Sequence, residues 1–215
     1  MQNSALTLCF WTGAHVWAQT LPTSARSEFN RQSQEAGVWA GASLRIGDMN
    51  LFEVSGEAAY FSEPNEILSV RVSRLSANEL WYGYRLDSVD NTTHLEVSGT
   101  AISVNWKRFL ADSFYLRAGL EHFNLKGEYF IASESENVRL HVGDMSRQNA
   151  LFALGNQWQW ESFTLGCDWA GASYPIAYRY ASRRDEIESN TVNKFAKSGE
   201  TTYFHLLHFY LGRTF

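Results

Sequence analysis

This 215-residue chain contains six histidines and 23 acidic residues, which are side chains that could support catalysis or metal binding. A serine hydrolase needs a nucleophile held beside a histidine and an acid. The chain has no Gly-x-Ser-x-Gly turn and no His-x-Ser pair. A metal site needs ligands on one face, and strand alternation predicts His205 and His208 on opposite faces. We therefore predict no catalytic residue, no metal ligand and no cofactor.

The elements that position these residues are predicted to be β-strands, because polar and apolar residues alternate from Ala36 onward. None of the alternating segments contains proline, which suits paired strands. Residues 79–86 are interpreted as an extension of the third strand, and counting them separately would raise the strand number to nine or ten. The eight segments are 38–46, 52–60, 68–73, 100–107, 114–121, 150–160, 163–172 and 203–215.

The connections between these segments alternate between two kinds. One kind is short and lies beside aromatic residues, at 61–65, 109–113 and 160–163. The other kind is long and polar, at 74–95, 126–148 and 174–200, although its first member, 47–50, is short. Alternating connections lie at opposite ends of an up-and-down meander, so the long ones share one end.

The two faces of the predicted strands differ in a way that indicates their surroundings. One face is broad and uncharged, as lipid requires, because a lysine or arginine at the bilayer midplane costs about 2–4 kcal/mol. The other face combines Gly, Ala and Ser with isolated charges of both signs, which suits a narrow interior where opposite charges pair. Those charges are Arg45, Glu53, Glu57, Arg71, Lys107, Arg117, Glu121 and Asp168.

We expect the inward carboxylates Glu53, Glu57 and Asp168 to pair with the inward cations and to plug the lumen. A small gated pore is the alternative for this interior. A soluble barrel that holds an apolar ligand is a further interpretation, since period two alone does not say which face is inside.

Aromatic residues gather toward both ends of the apolar face, as in the two aromatic girdles of membrane barrels. His122 and His205 are also predicted on the lipid face, and His208 is predicted inside. The group near the short connections is Tyr60, Trp106, Phe114, Trp158, Trp160, Phe163 and Phe215. The group toward the long connections is Trp81, Tyr82, Tyr84, Tyr129, Phe130, Tyr174 and Tyr203.

The N-terminal region has the pattern of an export signal. Residues 5–18 are apolar, and Val16 and Ala18 have the small side chains expected before a cleavage site, although no basic residue precedes them. We predict a signal peptide over 1–18, a polar linker over 19–35 and a barrel domain over 36–215.

The chain resembles the small bacterial outer-membrane β-barrels typified by the OmpA transmembrane domain and OmpX. The resemblance rests on the alternating strands of 36–215, the turn within 106–115 and the aromatic final strand 203–215. It implies an all-β fold, an eight-stranded antiparallel up-and-down transmembrane β-barrel in the outer membrane of a Gram-negative cell. Both termini would lie in the periplasm, and the long loops would lie outside the cell.

The resemblance also implies partners. A final phenylalanine, here Phe215, resembles the signal read by the barrel-assembly machinery, although Arg213 departs from the usual apolar residue. The lipid partners would be outer-membrane lipid and lipopolysaccharide. We expect a monomeric scaffold that is not an enzyme, with an unknown ligand or host surface at loops 74–95, 126–148 and 174–200.

Two other functions stay open at this point. One is an outer-membrane lipid-modifying enzyme of the lipid A deacylase or acyltransferase type, in which His94 or His141 would act. The other is a small-solute, porin-like pore. Nucleic acid is not expected as a partner, because the net charge is −5.

Overall fold

In a computed structural model, eight antiparallel strands pair in chain order and close into a barrel, because β1 also pairs with β8. The structure describes residues 31–78, 92–132, 137–182 and 195–215. The predicted eight-stranded meander is therefore confirmed. The strands are β1 (Ala36–Ile46), β2 (Leu51–Glu63), β3 (Glu66–Asn78), β4 (Thr92–Phe109), β5 (Phe114–Ala132), β6 (Asn137–Trp160), β7 (Phe163–Ser182) and β8 (Tyr203–Thr214).

One end of the barrel, here called the terminal end, holds the turns 64–65, 110–113 and 161–162 together with Phe215. Backbone hydrogen bonds join the two ends of the barrel sequence there, from Glu35 N to Phe215 O at 2.7 Å and from Phe215 N to Ala36 O at 2.9 Å. The opposite end is called the loop end.

The strands reach unequal heights at the loop end. β4 to β7 contain 18 to 24 residues, whereas β1 and β8 contain 11 and 12. The predicted long loop 126–148 is wrong over most of its length, because residues 126–132 and 137–148 continue β5 and β6 as a paired hairpin. Hydrogen bonds between paired strands satisfy the backbone polar groups whether or not one face of the strands is apolar. The strands therefore continue beyond the point where the alternation of polar and apolar residues stops. Residues 79–86 lie outside the described residues.

Outward-facing positions in the middle of the barrel are apolar. Val54, Val104 and Leu120 are 52%, 58% and 64% exposed. The residues directly before and after each of them in the sequence are buried or partly buried. Such a continuous exposed apolar surface marks contact with another apolar phase. In the described part of the chain, no helix is long and apolar enough to cross a membrane.

The register between described strands shifts at five places, and two of these β-bulges lie where the predicted alternation fails. Leu207 has a φ of 52°, and the β1–β8 register shifts by one residue beside it. Trp169 is the extra residue where the β6–β7 register shifts. Since the bulges lie in neighbouring strands, β7 and β8 stay in register with each other across them.

Because of these bulges, three residues face the opposite side of the barrel wall from the side predicted: Tyr203, His205 and Ala170. His205 and Tyr203 are buried inside, so their prediction on the lipid face is wrong, as is the prediction that His205 and His208 face opposite ways. Regular alternation in the predicted segment 163–172 places Ala170 inside with Asp168, but Ala170 is exposed, so that prediction is wrong. Each β-bulge adds one residue to its strand, and every side chain beyond it changes face.

Candidate functional site: the filled lumen

All eight predicted lumen charges lie on inward-facing positions and are at most 6% exposed. They comprise four cations and four carboxylates, so their formal charges cancel. β1 to β5 and β7 each contribute at least one of them, and the closure of the barrel brings distant parts of the chain into contact.

The upper cluster, on the loop-end side, is built on Arg45, Glu53 and Glu121. Arg45 Nε donates to Glu53 Oε2 at 2.9 Å. Its two terminal nitrogens donate to the two oxygens of Glu121, at 2.8 and 2.6 Å, in the bidentate geometry that favours arginine. Hydroxyl and amide donors complete the two carboxylates, from Ser43 and Ser73 to Glu53 and from Asn149 and Ser173 to Glu121.

The lower cluster, on the terminal-end side, is built on Glu57, Arg71, Lys107, Arg117 and Asp168. Arg71 donates through Nε and Nη2 to the same Glu57 oxygen, at 2.9 and 2.7 Å. Arg117 Nη1 lies 2.7 Å from Asp168 Oδ2. Within the described residues, no nitrogen of Arg117 makes a hydrogen bond of regular geometry, so this contact is mainly coulombic.

Lys107 is held by neutral groups. Its Nζ donates to Gln157 Oε1 at 2.8 Å and to the Tyr210 hydroxyl at 3.0 Å. It also lies 4.5 to 5.0 Å from the ring centroids of Trp39, Tyr115 and Tyr210. Cation–π attraction therefore replaces part of its lost hydration.

Ser55, His208 and Asp168 have the connectivity of a catalytic triad. Ser55 Oγ lies 3.3 Å from His208 Nε2, and His208 Nδ1 lies 2.9 Å from Asp168 Oδ2. All three are at most 6% exposed and lie between the two ends of a filled barrel. A hydrolase must admit its substrate to the serine, and in this structure the Ser55 side chain is buried from solvent.

Two basic residues on the strands, His205 and Arg147, were not predicted to lie in the interior. His205 is 2% exposed, and neither ring nitrogen has a hydrogen-bond partner within the described residues. Arg147 donates to Asn149, to Ser198 O at 3.0 Å and to Ser173 O at 3.1 Å. Arg147 continues the inward alternation of β6 through Asn149 and Leu151, and extending that segment three residues earlier would have identified it.

Apolar clusters close both ends of the lumen around the charges. At the loop end, one helical turn at 195–198 folds inward and buries Phe195 completely. The loop-end cluster contains Leu51, Leu75, Leu95, Val97, Ala101, Phe123, Leu125, Val142, Met145, Phe195 and Tyr203. The terminal-end cluster contains Trp39, Ala59, Phe61, Ile67, Phe109, Tyr115 and Tyr210.

Arg31 covers the terminal-end cluster from the segment before β1. It is 1% exposed, and its guanidinium carbon lies 3.7 Å from the ring centroid of Phe109. It donates to Pro64 O at 3.0 Å and to Asp112 O at 2.6 Å. The predicted linker 19–35 therefore contributes a buried residue at its C-terminal part, whereas its residues 19–30 and the predicted signal 1–18 lie outside the described residues.

The other predicted residues have these positions. Phe215 is 62% exposed at the terminal end. His122 is exposed on the outer face, and His141 Nε2 lies 3.1 Å from Asp144 Oδ2. No group of three histidine, cysteine or acidic residues that could hold a metal exists among the described residues. The side chain of His94 and those of Trp81, Tyr82, Tyr84, Tyr129 and Phe130 lie outside the described set.

Solved structures of several outer-membrane proteins are similar to this chain. No protein-family model matches the chain, and no curated protein matches it. The attachment invasion locus protein Ail of Yersinia pestis is 10% identical over 85% of this chain and 99% of its own, with a TM-score of 0.47. A major outer membrane protein from Thermus thermophilus is 12% identical over 84% and 99%, with a TM-score of 0.46.

CarO of Acinetobacter baumannii is 15% identical over 81% of this chain and 96% of its own, with a TM-score of 0.39. At these identities the comparisons concern the fold alone. The strand pairing of this chain, and not these comparisons, confirms the expected fold, a closed antiparallel barrel of eight strands.

Proposed function

We propose that the protein is a monomeric β-barrel of the bacterial outer membrane that serves as a closed scaffold for surface contacts. The observation that carries the proposal is the pairing of an apolar outer surface with a lumen filled by side chains from end to end. A soluble carrier would have the opposite arrangement, with charges outside and an apolar cavity inside.

The filled lumen supports a closed barrel and not a pore. Eight strands enclose just enough room for side chains, and here that room is occupied by two buried charge clusters between two apolar clusters. An ion crossing the barrel would have to displace Arg31 or Phe195 and then separate buried ion pairs. The loop end then provides the contact surface for an unknown ligand or host surface.

Membrane insertion is tested by gel mobility of the membrane-fraction protein in SDS, unheated and boiled. We expect outer-membrane fractionation and a mobility shift on boiling, because the closed strand ladder resists cold SDS. A protein that stays in solution without detergent and shows no shift would overturn the proposal and favour the soluble barrel.

Closure is tested by conductance of the protein in planar lipid bilayers. We expect no steady conductance steps from the wild-type protein. The double variant Arg31→Ala/Phe195→Ala removes one buried side chain at each end of the lumen and should increase the frequency of brief channel openings. Arg108→Ala on the outer wall is the matched control. Steady steps from the wild-type protein would favour the small-solute pore.

A further inference from the structure

The outer wall of the long strands carries a groove of about 500 Å³ on β4 to β7, lined by both polar and apolar residues. Four of the lining residues have uncharged polar side chains, two are cations and one is a carboxylate. The residues that matter for its chemistry are Ser98, Thr100, Asn124, Lys126, Ser146 and Arg179.

Strand register brings the groove residues together. Thr100 pairs with Asn124, Asn124 with Ser146, and Ser146 with Arg179, so these four form one continuous row across four strands. Lys126 pairs with Ser98 in the next row toward the loop end. Hydroxyl and amide groups thus lie between an ammonium and a guanidinium, which is a donor set for an oxyanion.

The carboxylates near the groove lie to one side or farther from the lipid band. Asp144 lines the groove, and its Oδ2 lies 3.1 Å from His141 Nε2. Glu128 accepts a hydrogen bond from Lys126 at 2.5 Å and lies two residues farther toward the loop end on β5. Lys126 has two further donor hydrogens and is 51% exposed, so it can contact an anion while it keeps Glu128.

The location of the groove identifies the source of the anion. The next outward row toward the barrel centre contains Ile102, His122 and Gln148. The row after it contains Val104 and Leu120. The apolar members Ile102, Val104 and Leu120 are 53% to 64% exposed. An anion in the groove therefore lies where the headgroup of a lipid would lie if its acyl chains covered these residues. The short wall of β8, β1 and β2 differs in chemistry, since its exposed residues Leu44, Phe52 and Phe204 near the loop end are apolar.

We propose that this groove binds a phosphate of a lipid A-type glycolipid in the outer leaflet, an inference that rests on the proposed insertion in the outer membrane. Lys126 and Arg179 would neutralise the phosphate. Thr100, Asn124 and Ser146 would donate hydrogen bonds to it, and the apolar residues below would contact the acyl chains.

The experiment is native mass spectrometry of the refolded protein in detergent micelles, titrated with bisphosphorylated lipid A. We expect Lys126→Gln/Arg179→Gln to bind about thirtyfold more weakly than wild type, since each of the two cations near an anionic surface contributes on the order of 1 kcal/mol. The matched control is Arg108→Gln/Arg213→Gln, which removes the same charge from the outer wall at the terminal end and should bind as wild type does.

Three outcomes would overturn the proposal: equal weakening in both double variants, equal binding of a dephosphorylated lipid A, or competition by millimolar inorganic phosphate. The last would indicate a site for free anions. Each sample is first checked for the boiling-dependent mobility shift, so failure of membrane-barrel folding is recognised separately from failure of the groove. The single variant Lys126→Gln keeps the test valid if the double variant does not fold.

Discussion

The upper and lower charge clusters use different means to hold charges inside the same barrel. In the upper cluster, Arg45 and four neutral side chains donate to both oxygens of Glu53 and both oxygens of Glu121. In the lower cluster, Arg117 makes no hydrogen bond of regular geometry within the described residues, and Lys107 donates to neutral groups. The lower carboxylates also have directed bonds, because Arg71 donates to Glu57 and Tyr115 donates to Asp168. The difference is that the upper cation bonds to both of its carboxylates, whereas Lys107 and Arg117 below make no regular hydrogen bond to a carboxylate within the described residues.

The charge balance explains why both arrangements are stable together. The upper cluster has one cation and two carboxylates, and the lower cluster has three cations and two carboxylates. Taken alone, the clusters have formal charges of −1 and +1. The buried Arg147, which donates to Asn149 and to Ser173 O beside Glu121, adds one positive charge next to the upper cluster. Because coulombic interactions are stronger in a medium of low dielectric constant, Arg147 offsets the excess carboxylate of the upper cluster.

The largest expected effect is that of Arg45→Met, which removes the cation shared by Glu53 and Glu121. Two buried carboxylates would lose their charged partner, and breaking a buried pair in this way costs about 3–5 kcal/mol. Reversible urea unfolding of the protein in lipid vesicles measures the change in the free energy of unfolding.

The control for Arg45→Met is Arg108→Met on the outer wall. Arg108 is 56% exposed, and its Nη1 lies 3.5 Å from Glu66 Oε1, so its loss should cost less than about 1 kcal/mol. Similar costs for the two variants would show that the upper cluster is not held by its directed bonds. Adding Glu121→Gln to Arg45→Met should restore part of the lost stability, because one uncompensated carboxylate is then removed.

A smaller effect is expected for Lys107→Met in the lower cluster. The change removes two hydrogen bonds and the contacts with three rings, but both lower carboxylates keep their arginine neighbours. We expect a cost of about 1–2 kcal/mol in the same unfolding assay. A cost as large as that of Arg45→Met would mean that Lys107 compensates a carboxylate directly, and the distinction between the clusters would fail.

Much of this interior was predictable from the sequence, because period-two alternation assigns each residue to a face. The inward positions of Glu53, Glu57 and Arg71 follow from that period alone. The partners do not, since Arg45 and Glu121 lie 76 residues apart and meet only when the barrel closes. Arg31 and Phe195 lie outside the periodic segments, so no periodicity could assign them to the closure of the lumen.

The wrong prediction that His205 faces the lipid has a local cause. The apolar pair Leu206–Leu207 fits two descriptions, one with regular alternation and one with both leucines outward across a β-bulge. In the structure both leucines are exposed, at 43% and 50%, and His205 and His208 are both inside. The choice depends on pairing with β1 and β7, and a single strand sequence does not contain that information.

The smallest expected effect is that of His205→Leu in the upper cluster. Both ring nitrogens of His205 are buried without a hydrogen-bond partner in the described residues, so the imidazole contributes packing but no directed bond. An apolar side chain of similar size also avoids the cost of burying unpaired polar atoms. We expect the free energy of unfolding to change by less than about 1 kcal/mol in either direction.

Asn149→Leu is the matched comparison for His205→Leu, since Asn149 also lies in the upper cluster but donates to Glu121 at 2.9 Å and accepts from Arg147. Its replacement leaves Glu121 and Arg147 each with one hydrogen bond fewer and should lower the free energy of unfolding by about 1.5–3 kcal/mol. If the two variants cost the same, burial alone stabilises the upper cluster. If only Asn149→Leu is costly, directed hydrogen bonds determine which inward side chains of this barrel can be exchanged for apolar ones.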